Sequence, residues 1–142
     1  MSRVIAVCVL AVAFGSGASA RSEGFTLNQA LSAPYASGLV ANQKTGGLAW
    51  VEDEQGRRNL WMAKPDGSGK YESKRVTSYD QDDGQDIYQV RWTPDGEHLV
   101  YVRGGDSEFP GTRDPNPALE PGGVTQGIWL VAAAGGEPRE LG

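Results

Sequence analysis

Ser68 sits between Gly67 and Gly69, and a serine flanked by glycines invites comparison with a catalytic nucleophile. A nucleophile elbow needs the frame G-x-S-x-G on a sharp turn between a strand and a helix. Here the serine follows Pro65-Asp66-Gly67, a run with the chemistry of a tight turn, so it reads as a turn residue. His98 is the single histidine, and a general base or a zinc site would rest on it alone. Asp80-Gln81-Asp82-Asp83-Gly84-Gln85-Asp86 is the densest acidic cluster. It approaches a calcium loop, but Gly84 comes one place early and Arg91 stands where the closing Glu belongs. The expectation is a solvated acidic loop, with adventitious Ca²⁺ binding as the alternative. Gly69-Lys70 fails as a phosphate loop, because Tyr71 replaces the Ser or Thr that would hold Mg²⁺. Trp50, Trp61, Trp92 and Trp129 are either a ligand platform or packing groups, and packing between repeated units is expected. No catalytic, cofactor-binding or metal-ligating residue and no cofactor is therefore expected in this chain.

The first residues have the order of an export signal. Met1-Ser2-Arg3 is positive, residues 4–14 are apolar, and Ala18-Ser19-Ala20 is a small-residue cleavage site. The apolar run is too short to span a bilayer. A secretory signal over residues 1–20 is expected; the alternative is a buried N-terminal helix or strand. Cleavage after Ala20 removes Cys8, the only cysteine, and with it any disulfide or thiol chemistry. Cys8 is no lipoprotein anchor, since Val7 occupies the place of a small residue. The formal charge of −5 becomes about −6 once Arg3 is lost. An acidic chain without a Lys/Arg cluster is a poor nucleic-acid binder. No other run approaches membrane length. A periplasmic or secreted location follows as an expectation.

The elements that would position these groups are short strands and turns. Thr26 caps a helical turn over residues 27–31, which Ser32-Ala33-Pro34 stops. Strands are expected over 37–41, 48–51, 59–63 and, for the fourth, 74–78, with a polar hairpin loop over 52–58 centred on Gly56. A second set begins at Ile87, where Tyr88, Val90 and Trp92 alternate with Gln89, Arg91 and Thr93. Thr93-Pro94-Asp95-Gly96 turns into a strand at 99–102, and Gly127 to Ala133 forms the next. The chain reaches Gly142 at the beginning of a fourth strand. Between them, residues 103–126 carry Pro110, Pro115, Pro117 and Pro121, and are expected to form a long excursion.

The two sets are one phrase repeated. Leu48-Ala49-Trp50-Val51, Asn59-Leu60-Trp61-Met62-Ala63 and Arg75-Val76-Thr77 are answered by Leu99-Val100-Tyr101-Val102, Ile128-Trp129-Leu130-Val131-Ala132 and Arg139-Glu140-Leu141. Aligning Trp50 with Tyr101 gives a period of 51 residues, longer than the roughly 40–45 of a compact propeller blade. The acidic loop at 80–86 accounts for the surplus. The fold expected is all-β: a partial propeller of about two four-stranded antiparallel blades, 35–79 and an incomplete 87–142, within a domain at 21–142.

Trp92-Thr93-Pro94-Asp95-Gly96, Ile128-Trp129-Leu130-Val131 and Gly135-Gly136-Glu137-Pro138-Arg139 resemble the blade repeats of periplasmic β-propellers. Tyr35-Ala36-Ser37-Gly38-Leu39-Val40, Arg58-Asn59-Leu60-Trp61, Asp82-Asp83-Gly84-Gln85 and Val102-Arg103-Gly104-Gly105-Asp106 resemble, more narrowly, the N-terminal propeller of bacterial prolyl oligopeptidase family serine peptidases, of the dipeptidyl aminopeptidase/acylaminoacyl peptidase type. The resemblance implies a gate that selects oligopeptides for a Ser-Asp-His site in a C-terminal α/β-hydrolase domain. The partners it implies are that domain, the remaining blades and peptide substrates. No residue of this chain inherits a catalytic role. The rival is a periplasmic propeller that docks proteins, like the Tol-system component.

Overall fold

The computed structural model describes residues 24–105, 121 and 126–142. The leader expected over 1–20, with Cys8, lies outside the described residues, as do 106–120 and 122–125 of the expected excursion. The chain is mostly β, in two four-stranded antiparallel sheets. A short helix α1 (Leu27–Leu31) precedes them, with Thr26 and Gln29 forming a reciprocal capping box. The first sheet is β1 (Tyr35–Ala41), β2 (Leu48–Glu54), β3 (Arg57–Pro65) and β4 (Tyr71–Arg75). The second is β5 (Ile87–Trp92), β6 (His98–Arg103), β7 (Gly127–Ala132) and β8 (Arg139–Glu140). Each sheet keeps its strands in sequence order, as a meander. The last strand, β8, has two residues, and bonds between Ile128 and both Leu141 and Gly142 continue the pairing. No helix among the described residues is long and apolar enough to cross a membrane.

Alternation along the strands decides which faces meet. Ala49 and Val51 of β2 and Leu60 and Met62 of β3 are buried on one face of the first sheet. Val90, Leu99, Tyr101 and Val131 answer them from the second, and Val76, Ile87 and Ala133 complete the core. The sheets meet chiefly through β1 and β5, with smaller contributions from β2 and β3 against β5. The ladders bear out the repeat alignment. Ala41 pairs with Leu48 and Val40 with Ala49, as Trp92 pairs with Leu99 and Arg91 with Val100, and Trp50 opposes Trp61 as Tyr101 opposes Trp129. Trp50 therefore corresponds to Tyr101, yet the two lie on opposite sides of the shared core, as equivalent positions of sheets stacked in one order do. Trp50 faces away from the core, while Tyr101 lies at its centre, fully buried.

Two expectations change. The polar loop at 52–58 is a two-residue turn, because β2 and β3 run through their charged ends. Asp53 pairs with Arg58 and Glu54 with Arg57 across the ladder. Opposite charges facing each other in this way stabilise a strand pair. The turn residues Gln55 and Gly56 both have positive φ (55° and 83°), the pattern of a type I′ hairpin. The fourth strand is β4 (Tyr71–Arg75) rather than 74–78. Beyond it, Thr77 takes the Leu60 N–H on its side-chain oxygen at 2.9 Å, so a side chain replaces the ladder and the strand ends.

A polar latch holds the turn ends of the two sheets. Asn42 is buried and donates from Nδ2 to the carbonyl of Gly96, 54 residues later, at 2.9 Å. Its Oδ1 accepts the N–H groups of Lys44 and Thr45, which fixes the amide and the β1–β2 turn together. Gly96 has φ +75°, and a Cβ there would lie 2.8 Å from Asn42 Nδ2. Gly96→Ala should destabilise the chain by roughly 1–3 kcal/mol, from backbone strain and loss of the latch. A urea midpoint unchanged from the wild type would refute this account of the latch.

Candidate functional site

The largest polar constellation lies at the opposite end, where residues 76–86 pass from one sheet to the other. Three partners fix its start. Asn59 is buried, donates from Nδ2 to the Tyr79 carbonyl at 2.9 Å, and accepts the Tyr79 N–H at 2.8 Å and the Thr77 hydroxyl at 3.0 Å. Tyr79 is thereby held so that its hydroxyl meets that of Tyr101 at 2.7 Å. The Arg103 guanidinium lies 4.1 Å from the centre of the Tyr79 ring, a cation–π stack, and pairs with Asp83. Asp86 and Asp53 share Arg58, at 3.1 and 3.2 Å. Asp80 pairs with Arg75.

The acidic run is solvated only in its first half: Asp80, Gln81 and Asp82 are exposed, and residues 83–86 are half-buried. Asp80, Asp83 and Asp86 each find an arginine, and Gln85 Oε1 accepts the Gly105 N–H at 3.1 Å. Asp82 presses against Gly56, where a Cβ would lie 2.3 Å from its carboxyl. Carboxylates held by guanidinium groups make a poor cation cage. Their arrangement ties the β2–β3 hairpin to the strand ends of the second sheet.

Burial pushes the Tyr101 phenol far above the ordinary value of 10.0, and its hydrogen bond to Tyr79 adds to the rise. Burial also raises Tyr79, against the opposing effects of the Tyr101 hydrogen bond and Arg103. Neither phenol is poised to lose a proton near neutral pH, so the pair suits a structural bond and not acid–base chemistry.

The residues with catalytic potential lie elsewhere. Ser68 is in the β3–β4 turn, and its hydroxyl donates to Asp66 Oδ1 at 2.7 Å. The same oxygen accepts the N–H groups of Ser68 and Lys70, and these bonds hold the Asp66 carboxyl below its ordinary range. Gly69-Lys70 completes that turn. His98 begins β6, with Nδ1 4.0 Å from Asp95 Oδ2. Among the described residues no hydrogen bond joins Ser68 to His98. Asp95, Glu97 and His98 do converge closely enough to share an ion. They are largely exposed, and Asp95 already accepts from the Thr93 hydroxyl and the Glu97 N–H, which lower its pKa. That bonding is what a Thr-Pro-Asp-Gly turn requires.

The tryptophans divide. Trp92 and Trp129 pack on the inter-sheet core, and Trp92 Nε1 donates to the Val40 carbonyl at 3.4 Å. Trp50 and Trp61 are cross-strand neighbours on the outer face, stacked with centroids 6.5 Å apart. Packing between the two units therefore accounts for two of the four. Beside Trp50 lies an apolar cleft of about 480 Å³, lined by Ala36, Ser37, Gly38 and Leu39. A more polar cleft of about 520 Å³ opens where Gln43 and Lys44 face Arg91 and Trp92. Sequence reasoning missed the Tyr79–Tyr101–Arg103 cluster, because Tyr79 comes 22 residues before Tyr101 and the three share no motif.

No family description, curated protein or solved structure matches this chain.

The tyrosine pair has a consequence for pH. Both phenols hold their protons more tightly when folded, so their contribution is complete below about pH 10 and is lost as pH rises beyond it. Urea midpoints should hold to about pH 10 and fall above it, and Tyr101→Phe should flatten that fall. At neutral pH that variant should cost about 0.5–1.5 kcal/mol, the range for one hydrogen bond. An alkaline profile identical to the wild type would remove this role for the pair.

Proposed function

We propose that the chain is a non-catalytic propeller segment of an exported serine peptidase, in which it gates and selects oligopeptides. The observation that carries the propeller part is the pair of four-stranded meanders that meet at their first strands, each apolar on both faces. The outer face of β6 and β7 presents Val100, Val102, Ile128 and Leu130. That of β2 and β3 presents Trp50 and Trp61. A sheet built this way needs cover on two sides, as a blade between neighbours has. The sheets are read as the first two blades. The peptidase part rests on the sequence resemblance.

In this reading the segment excludes folded proteins and passes peptides; cleavage belongs to an α/β-hydrolase domain elsewhere. The transcript downstream of codon 142 tests it. A G-x-S-x-G frame between strand and helix patterns supports the peptidase. Further strand repeats followed by a stop would replace it with the protein-docking propeller. The segment alone should not hydrolyse aminoacyl-anilides, since a triad stripped of its members loses orders of magnitude in rate. Turnover by the purified chain that a serine-directed phosphonate blocks would overturn the non-catalytic role.

A further inference from the structure

The first strands of the two sheets carry the same bulge. In β1, Gly38 and Leu39 fall between the pairs Ser37 with Val51 and Val40 with Ala49, so both oppose Trp50. In β5, Gln89 and Val90 fall between the pairs Tyr88 with Val102 and Arg91 with Val100, so both oppose Tyr101. Gly38 and Gln89 are thus equivalent positions of the repeat. Both are left-handed, with φ +63° and +52°. A bulge of this kind calls for glycine at that place. An L-residue with a side chain is destabilised there by more than the extra chain freedom of glycine costs. The first sheet has the glycine, and the second keeps Gln89. Strain of this sort persists where packing or function requires the side chain. Packing does not require it: Gln89 is exposed, and its amide makes no hydrogen bond among the described residues. A bulge also re-aims the side chain that it carries. β5 is the edge strand of its sheet and, with β1, makes the main contact between the sheets. In the propeller reading the strands where blades converge surround the central channel, and Gln89 stands on its wall.

We propose that Gln89 is a substrate contact of the gate, where its carboxamide binds the main-chain amide groups of an oligopeptide. A carboxamide offers an acceptor and two donors side by side, the complement of a peptide unit's N–H and C=O. It carries no charge, so it holds a peptide backbone without selecting its side chains. The matching place on the first blade is Gly38, which has no side chain to offer. The inference rests on the proposed function and names the part of the substrate that the gate holds. Further blades leave the contact intact, because they cover the outer faces and not the inner strands.

The test sets stability against recognition. In this chain Gln89→Gly should raise the urea midpoint, and Gly38→Gln should lower it. A tetrapeptide with acetylated and amidated ends, titrated into the chain, should shift the side-chain amide resonances of Gln89. Gln89→Gly should weaken its binding by about threefold to tenfold, the worth of a neutral hydrogen bond. Gln89→Ala keeps the strain but removes the amide, and should bind as poorly. In the natural protein that carries this chain, both variants should raise KM for oligopeptides by a similar factor and leave kcat unchanged, the sign of lost ground-state binding. A midpoint lowered by Gln89→Gly makes the glutamine structural and overturns the proposal. So do variants that bind and cleave peptides as the wild type does, which leaves the peptidase reading standing. A natural protein that cleaves no peptide overturns that reading instead. The contact then stands if both variants weaken tetrapeptide binding, and falls if the wild type binds none.

Discussion

Tyr101 is fully buried between two sheets, and its hydroxyl cannot go unbonded there. Burying an aromatic side chain of this size is worth about 1.5–3 kcal/mol, but an unpaired polar atom would cancel most of that. The Tyr79 hydroxyl is the partner, and Tyr79 reaches it only because Asn59 grips its backbone on both sides. Asn59 belongs to the first sheet and Tyr101 to the second. The path of residues 76–79 is therefore set by one hydrogen-bonding requirement, and with it the placement of one sheet against the other. Arg103 on the Tyr79 ring and Asp83 on Arg103 extend the same constraint into the acidic segment. Asn42 performs the matching task at the far end with a single side chain. The apolar rows between these two latches supply the cohesion.

The meander was legible because its signals are local. The strand at 87–92 and the Thr-Pro-Asp-Gly turn each lie within a few residues, and the structure has both, although the bulge between Tyr88 and Arg91 breaks the alternation and puts Ile87, not Tyr88, on the core face with Val90 and Trp92. The helix at 27–31 was legible from its cap. Strand ends were less so. Glu52, Asp53 and Glu54 opposite Arg57 and Arg58 look like a polar loop when read singly, and like a hairpin only when paired by sign across Gln55-Gly56. The repeat was legible as well, and pairing Trp50 with Tyr101 gives the register that both ladders keep. What it did not give is that equivalent positions fall on opposite sides of the core, Trp50 outside it and Tyr101 at its centre. The candidate site was not legible at all. Asp83 meets an arginine twenty positions away and Asp86 meets one twenty-eight positions earlier in the chain, and no local pattern announces either.

The strand edges resist further pairing. β4 is exposed along its whole length, yet it reads Tyr-Glu-Ser-Lys-Arg, and charged residues on an edge discourage pairing with another chain. The first strands of both sheets are irregular: the β1–β2 register shifts between Ser37 and Val40, and the β5–β6 register between Tyr88 and Arg91. Bulges at an edge twist it away from further ladder growth. β8 is too short to template much. The outer faces have no such protection. Trp50, Trp61, Val100, Ile128 and Leu130 form cross-strand rows interrupted by few charges, and side chains of this kind are the ones that stacked sheets place between them.

That contrast bears on where function can reside. Most carboxylates of the described clusters are bonded within them: Asp66 by its own turn, Asp95 by its own turn, Asp83 and Asp86 by arginines of the strands they bridge. Arg103 Nε is the exception among buried side-chain atoms of the described residues, with no hydrogen-bond partner. Groups already bonded to one another have little capacity left for a substrate, and the tyrosine phenols hold their protons too tightly for general acid–base work. What is left open is chiefly apolar. In a stacked repeat, stability is a sum of unit terms and interface terms, and a unit flanked on one side only keeps half of its interfaces. Two sheets with one shared interface therefore leave as many sheet faces uncovered as they bury. The physical consequence is a chain whose open surface is made chiefly of flat apolar sheet faces, while its clusters of charged residues hold those faces in register.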